Sequence, residues 1–279
     1  MIKTILVGLD GSDHARTAAR YALWLAEKFR AQVTGLHVVD IVSIEGSFFH
    51  DISGSLGFEP YLDFSSKMRE ALQERGKTLL EAFRKQAEEA GIRAETVLAM
   101  GVVANEICER AKTADLVVIG HRGVNEKFST GLLGSTAESV TRKCPKPLWV
   151  STMQFSEVRR PLLAYDGSQR AAAAMAAAAE FCATLSLPLT VLNVNRDENQ
   201  GRQILREAEA YLTPYGLEVH FELQQTGNAP ERIANYIREQ RHDLLFIGAY
   251  GHSRIIEMVL GSTTEYVLRN SACPVFLSR

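Results

Sequence analysis

The chain has 279 residues, of which 46% are hydrophobic and 23% charged, and its formal net charge is -2. These values are typical of a globular protein with a packed core, and the length suits two domains of about 140 residues each. Since Lys and Arg form no long runs, nucleic acid is not expected as a main partner. The N-terminal apolar run is too short for a signal peptide or a membrane span, so we expect a cytoplasmic protein without membrane contacts.

The chain contains an internal repeat. Without a gap, the segment around Asp10 (LVGLDGSDHARTAA) aligns with the segment around Asp166 (LLAYDGSQRAAAAM). Later segments match as well: ADLVVIGHRG corresponds to HDLLFIGAYG, and LLGSTAESV corresponds to VLGSTTEYV. We therefore predict a tandem duplication, with one domain over residues 1–153 and a second over residues 158–279.

Each half alternates strand patterns with helix patterns. The first strand of the first half is TILVGLD, an apolar run that suits a strand buried on both faces. A helix follows, capped by Ser12 or Asp13 in the first half and by Ser168 in the second. The alanine-rich run AAAAMAAAAE predicts a helix that packs closely on the sheet. Further strands, AETVLAM, DLVVIG and PLWVS, alternate with helices.

This order predicts the α/β fold class. We expect two repeated doubly wound, Rossmann-like domains, each a mostly parallel five-stranded sheet with helices on both faces. The final strands KPLWVS and CPVFLS are expected to pair as sheet edges, which would make the chain an intrachain pseudo-dimer. A further homodimer of two chains is left open.

The halves differ after their second strands. Between the second strand and the glycine that precedes the next helix, the first half has about sixty residues and the second has about thirty. The additional segment, from Ile41 to Ser66, is rich in Gly, Ser and Phe and has no clear periodicity. We expect a partly ordered loop or lid there.

The four cysteines are far apart in the sequence and form no CxxC motif. This spacing favours neither a disulfide framework nor a structural zinc site. Cys144 and Cys273 each precede a proline just before the last predicted strand of a half, where we expect packing residues. Cys108 and Cys182 are likewise expected to be buried or partly buried thiols.

Glycines follow the fourth predicted strand of each half at fixed spacing. In the second half, Gly248 and Gly251 are followed by nine residues and then by Gly261, which opens a helix. In the first half, ten residues separate Gly123 from Gly134, so the second half has the shorter spacer. Such glycines leave room over a strand end, and a helix N-terminus offers amide groups to a phosphate.

This arrangement, together with the aspartate after the first strand and LHVVD in the second, resembles the universal stress protein family in its tandem two-domain form. The resemblance covers nearly the whole chain. It implies ATP as the ligand, with or without Mg²⁺, because nucleotide-binding members of the family hold ATP at these positions.

By the same resemblance, the aspartate and the residue two before it flank the adenine and ribose, and a valine of the second strand offers its backbone to the adenine edge. The glycines and hydroxyl residues hold the ribose and phosphates. In the second half the residues are Ala164, Asp166, Val194, Gly248, Gly251, Gly261, Ser262 and Thr263. In the first half they are Gly8, Asp10, Val38, Gly120, Gly123, Gly134, Ser135 and Thr136.

These features also have purely structural interpretations. Asp-Gly-Ser after a strand is commonly a turn followed by a helix cap, and Gly-Ser before a helix is commonly a cap. His14, His121 and His252 lie near the loops without a metal-binding motif, and exposed loop positions are expected for them. Lys127 and Arg254 lie in the spacers, where they could contact phosphate or solvent.

Three functions remain open. The leading hypothesis is an ATP-binding protein of the stress response that acts through nucleotide-dependent conformation or interactions. The second is a slow ATPase; the chain has no GxxxxGK[ST] loop and no SGGxDS stretch, so efficient catalysis is not predicted and no catalytic residue or protein metal site is assigned. The third is an interaction module without nucleotide, in which the glycines only shape loops.

Overall fold

The computed structural model describes residues 2–41, 60–123, 133–249 and 261–278, and for residues 60–65 it describes the backbone alone. The strands of the first half are β1 (Thr4–Gly8), β2 (Gln32–Asp40), β3 (Ala94–Gly101), β4 (Leu116–Gly120) and β5 (Leu148–Ser151). Those of the second half are β6 (Pro161–Ala164), β7 (Leu189–Val194), β8 (Val219–Gln224), β9 (Leu244–Gly248) and β10 (Val275–Ser278).

Helices separate the strands. In the first half they are α1 (Asp13–Phe29), α2 (Pro60–Glu89), α3 (Val103–Ala111) and α4 (Ser135–Lys143). In the second half they are α5 (Gln169–Leu185), α6 (Glu198–Leu212), α7 (Ala229–Gln240) and α8 (Ser262–Asn270), with a 3-10 turn at Thr213–Tyr215. None of the helices within the described ranges is long and apolar enough to cross a membrane.

The ten strands form one continuous sheet in the order β3-β2-β1-β4-β5-β10-β9-β6-β7-β8. Every neighbouring pair is parallel except β5 and β10, which run antiparallel. The prediction of two doubly wound α/β halves is confirmed, and the two final strands pair as predicted. In each half the strand order reverses beside the first strand, between β1 and β4 and between β6 and β9, which is where ligands bind in such sheets.

Helices cover both faces of the sheet. On one face α1, α2, α5 and α6 pack on a core that runs through both halves, and on the other face α3, α4, α7 and α8 pack on a second core. Ala174 and Ala178 of the alanine-rich helix are fully buried, as predicted for a helix that packs closely. The hydroxyls of Ser12 and Ser168 accept hydrogen bonds from the amides three residues later, at 3.1 and 3.2 Å, and so cap α1 and α5.

One part of the additional first-half segment differs from the prediction. Residues 60–66 belong to α2, which begins at Pro60 and has 30 residues, whereas its counterpart α6 has 15. The expectation of a loop is wrong for these residues, because proline suits the first helical position and the good helix formers from Lys67 onwards continue the helix. The rest of the expected loop, residues 42–59, lies outside the described residues.

An aromatic cluster fills the core where the two halves meet. Trp149 of β5 is fully buried and lies opposite Phe276 of β10 in the sheet. Its ring centroid is 5.0 Å from that of Tyr21 on α1 and 6.2 Å from that of Phe181 on α5. Trp149 therefore touches both halves.

Replacing Trp149 tests this junction. We expect Trp149→Ala to lower the free energy of unfolding by about 3–5 kcal/mol, because a large buried side chain is lost. Trp149→Phe should cost less, since the indole nitrogen is buried and has no hydrogen-bond partner among the described residues. Urea unfolding followed by circular dichroism measures both, with the part-exposed Tyr266→Ala as the control. A loss below about 1 kcal/mol for Trp149→Ala would contradict a shared core.

The cysteines lie where the sequence predicts. Cys144, Cys182 and Cys273 are buried and Cys108 is partly buried, all as free thiols. Burial raises the pKa of the Cys182 thiol to about 12, and burial also raises the pKa of Cys273 to about 12. Both side chains are therefore protonated near neutral pH and poorly nucleophilic.

Thiol titration with a colorimetric disulfide reagent at pH 8 should detect at most one fast-reacting cysteine, Cys108, in the folded protein. All four should react in denaturant. Cys108→Ser should remove the fast phase, and fast reaction of a second thiol in that variant would show that the core is more open than described.

Candidate functional site

A cavity of about 260 Å³ lies at the carboxyl ends of β1, β2 and β4. All eight residues predicted for the first-half site line it: Gly8, Asp10, Val38, Gly120, Gly123, Gly134, Ser135 and Thr136. They come together because the sheet order reverses beside β1, so that the ends of β2 and β4 flank the end of β1. Their contact with a nucleotide stays a prediction.

The aspartate after each first strand forms a turn. Asp10 Oδ1 accepts a hydrogen bond from the Ser12 amide at 2.9 Å, and Asp166 Oδ1 accepts one from the Ser168 amide at 3.0 Å. The intervening glycine has a positive φ in both halves, +84° at Gly11 in the first. The structural interpretation of Asp-Gly-Ser is therefore correct, and it leaves the Asp10 carboxylate on the cavity wall.

A second contact holds this turn in place. His37 Nδ1 lies 2.6 Å from the carbonyl oxygen of Leu9, and in the second half Asn193 Nδ2 donates to the carbonyl oxygen of Tyr165 at 2.7 Å. A carbonyl oxygen can only accept, so the His37 ring carries its proton on Nδ1. These bonds tie the second strand to the residue before each aspartate. Neither hydrogen bond is predicted from the sequence, although the repeat superimposes His37 on Asn193.

The strand-end glycines are required by packing. A Cβ on Gly120 would lie 2.9 Å from the backbone carbon of His14, and one on Gly248 would lie 2.8 Å from the backbone carbon of Arg170. Both distances are too short for real contacts, because α1 crosses the end of β4 and α5 crosses the end of β9. The Gly123 position differs, since its Cβ would meet only the end of the Asp10 side chain, at 2.6 Å.

Helix α4 begins at the cavity. Its N-cap is Gly134, whose own amide donates to the His121 carbonyl at 3.0 Å, and no capping hydrogen bond from a side chain is found among the described residues. The first amides of a helix have no partner within it and carry a partial positive charge. Ser135 and Thr136 therefore offer amides and hydroxyls to an anion in the cavity.

Charged and apolar side chains complete the lining. Asp40 of β2, Arg75 of α2 and Arg122 of the glycine loop face the cavity, with apolar walls from Val103 and Ile107 of α3. Neither arginine is among the site residues predicted from the sequence: Arg122 lies inside the GHRG motif, but Arg75 belongs to a helix distant in sequence. The described residues contain no group of three or more His, Cys, Asp or Glu side chains that could hold a metal ion.

The described part of the second half has the same arrangement. Ala164, Val194 and Gly248 end β6, β7 and β9, and Asp166 follows β6. Gly261, Ser262 and Thr263 begin α8, again with glycine as the N-cap and with no side-chain cap bond among the described residues. Gly251, His252 and Arg254, like Lys127 of the first half, lie outside the described residues.

Two histidines are not exposed loop residues. His14 lies in α1 and is 6% exposed, because the first turn of this helix packs on the strand end at Gly120. His121 is half-buried, and its Nε2 lies 2.6 Å from the Leu268 carbonyl oxygen of α8. The expectation of exposed positions is wrong for both. His14 packs against a strand end of its own half and His121 contacts the second half, and neither contact can be read from the sequence.

Comparisons with known proteins identify similar chains. The model of the universal stress protein family matches residues 1–151 and again residues 157–279. Universal stress protein Slr1230 of Synechocystis sp. is 32% identical over 288 aligned positions that cover 100% of both chains. Universal stress protein MJ0531 of Methanocaldococcus jannaschii is 36% identical over 54% of this chain and 82% of its own. Among solved structures, a universal stress protein from Archaeoglobus fulgidus superposes with a TM-score of 0.76 at 25% identity, over 99% of this chain and 96% of that chain.

Alanine substitutions should separate the packing glycines from the glycine of the cavity. We expect Gly120→Ala and Gly248→Ala each to cost about 1–3 kcal/mol of unfolding free energy, because the new Cβ meets backbone atoms. Gly123→Ala should change stability by less than about 1 kcal/mol, because the Asp10 side chain can move away. Denaturant unfolding of the three variants measures the difference, and equal losses would contradict this distinction.

Proposed function

We propose that this chain, which belongs to the universal stress protein family and carries two copies of the family's domain, binds ATP and acts through nucleotide-dependent conformation or interactions in the stress response. One observation carries the proposal: the eight residues named from the sequence for the first half line a single cavity. We assign the two domains to residues 1–153 and 158–279.

In the proposed complex the base lies at the ends of β1 and β2. The backbone of Val38 meets the adenine edge, and Gly8 and Asp10 flank the adenine and ribose. The ribose and phosphates extend past Gly120 and Gly123 towards the start of α4, where Gly134, Ser135 and Thr136 receive the phosphates. Because β2 and β4 lie on opposite sides of β1, the base and the phosphates occupy opposite sides of the cavity.

The chemistry of the cavity fits such a ligand. Its volume of about 260 Å³ is near the lower end of the range for ligand sites, about 300–1,000 Å³. Val103 and Ile107 supply apolar surface, while Arg122 and the α4 amides supply positive charge. Mg²⁺ usually keeps several waters and uses one or two carboxylates with the phosphates, so it needs no larger cluster of acidic side chains. We propose that any Mg²⁺ binds in this way.

We propose the same roles in the second half. Ala164, Asp166 and Val194 take the positions of Gly8, Asp10 and Val38, and Gly248, Gly251, Gly261, Ser262 and Thr263 take those of the glycine loop and helix start. The support is the equivalent placement of the described members at the ends of β6, β7 and β9 and at the start of α8.

Calorimetric titration of nucleotide-free protein with ATP and Mg²⁺ tests the proposal. We expect saturable binding of one or two ATP per chain, with little ADP released on the same sample over hours. Sustained ADP release over many turnovers would favour the ATPase alternative over a purely binding role. No binding at millimolar ATP would overturn the proposal and favour an interaction module without nucleotide.

Valine at the two helix N-caps should remove the sites one at a time. A side chain at Gly134 would fill the space beside Arg122, where its Cβ would already lie 3.1 Å from the Arg122 Cα. We expect Gly134→Val to remove ATP binding in the first half and Gly261→Val to remove it in the second, with the affinity of the remaining site unchanged. Thermal unfolding checks that each variant stays folded. Full ATP binding by the double variant would contradict phosphate contact at these helix starts.

A further inference from the structure

The helix that follows the second strand, α2 in the first half and α6 in the second, occupies an equivalent position in each half. Gly76 of α2 packs against His37, so closely that a Cβ there would lie 2.5 Å from the ring, and Gly201 of α6 packs against Asn193, whose Oδ1 would lie 3.1 Å from its Cβ. His37 and Asn193 are the two side chains that make the same hydrogen bond in each half. The two helices can therefore be compared residue by residue.

This comparison pairs Leu72 and Arg75 of α2 with Asp197 and Gln200 of α6. In the first half, Leu72 and Arg75 both line the cavity, and Arg75 Nη2 lies 3.8 Å from the point where a Cβ on Gly11 would be. The guanidinium therefore reaches the turn that follows β1. No hydrogen bond or ion pair of Arg75 is found within the described part of the chain.

In the second half, the corresponding residues start the helix. Asp197 is the N-cap of α6, and its carboxylate accepts a hydrogen bond from the Gln200 amide at 3.1 Å. The Gln200 side-chain oxygen accepts from Asn195 Nδ2 at 3.2 Å. Helix α2 instead begins at Pro60, roughly 20 Å of helix earlier at 1.5 Å per residue. Leu72 and Arg75 thus lie inside a helix, and no cap is needed from them.

The two halves consequently differ in charge at two positions beside the proposed base. The first half presents an apolar side chain and a cation, whereas the second presents an anion and an amide. The difference comes from the N-terminal extension of α2, because a helix that starts earlier has no use for an acidic cap at this point.

We propose that Arg75 contacts the adenine base in the first-half site and gives this site a stabilising contact that the second-half site lacks. The inference rests on the proposed function. Arg75 is assigned to the base end of the site because its helix, α2, packs on β2 and β3. The proposed phosphate end is at the start of α4, which follows β4 on the other side of β1. A planar guanidinium stacks on aromatic rings and donates to ring nitrogens, so it suits an adenine face or edge.

The test measures each half separately. Photolabelling with 2-azido-ATP and 2-azidoadenosine, followed by peptide mapping, gives a concentration dependence for first-half and second-half peptides of the full chain. Arg75→Gln introduces the residue type of the second half. Arg75→Lys keeps the charge but removes the planar group, and Arg69→Gln is the matched control, since Arg69 is exposed on the same helix and away from the cavity.

We expect Arg75→Gln to raise the half-saturating concentration of both probes in the first half by about 3- to 30-fold, the range of a cation–π contact, and Arg75→Lys to raise it by less because the ammonium keeps the charge. Second-half labelling and the Arg69→Gln variant should be unchanged. An effect on 2-azido-ATP without an effect on 2-azidoadenosine would place Arg75 at the phosphates and overturn the inference, as would equal effects in both halves.

The proposed function can fail separately. If the wild-type chain shows no saturable labelling by 2-azido-ATP in either half, ATP binding itself is refuted and the inference fails with it. If the wild type labels saturably and Arg75→Gln labels identically in the first half, only the role of Arg75 is refuted.

Discussion

The antiparallel pairing of β5 with β10 determines how the two halves of this molecule are related. Each strand is the last of its half and has only four residues, and alone each would expose unpaired backbone groups at a sheet edge. Pairing satisfies these groups and places Trp149 opposite Phe276 within one aromatic cluster. Because β4 is parallel to β5 and β9 is parallel to β10, the strand ends of the two halves point in opposite directions. The two proposed sites therefore lie on opposite sides of the sheet along the strand direction.

This geometry prevents direct contact between nucleotides in the two proposed sites. One helix, however, lies beside both sites. Helix α8 starts at the proposed second-half phosphate site and ends near Leu268, whose carbonyl oxygen lies 2.6 Å from His121 Nε2 in the first-half glycine loop. The His121 carbonyl in turn accepts from the Gly134 amide at the start of α4. The corresponding residue of the second half is Ala249, which has no side-chain donor and cannot make this contact.

Much of the fold can be predicted from the sequence, because its signals are local or repeated. The apolar runs, the serine caps and the tandem repeat are sufficient to predict two doubly wound halves and the meeting of their last strands. The repeat also places Asp10 and Asp166 just after their strands and Gly120 and Gly248 at strand ends. Arg75 could not be predicted, because it reaches the cavity from a helix whose start at Pro60 falls within a segment without clear periodicity. The contact of His121 with Leu268 depends on how the halves pack, which no local pattern encodes.

The glycine motif itself combines two physical requirements. Gly120 and Gly248 are explained by the crossing of α1 and α5 over the strand ends, and a protein without any ligand would need them for this packing. The helix starts are different. Ser12, Ser168 and Asp197 cap α1, α5 and α6 with side-chain hydrogen bonds, whereas α3, α4, α7 and α8 have no such bond among the described residues. A glycine N-cap costs only a few tenths of a kcal/mol relative to Ser, Thr, Asp or Asn, so the absent bond is not by itself a sign of a ligand. The starts of α4 and α8 are set apart by their place, because the start of α4 lines the cavity and α8 begins at the equivalent point of the repeat. The position of these helix starts beside the strand-end glycines is therefore the feature that favours an anionic ligand.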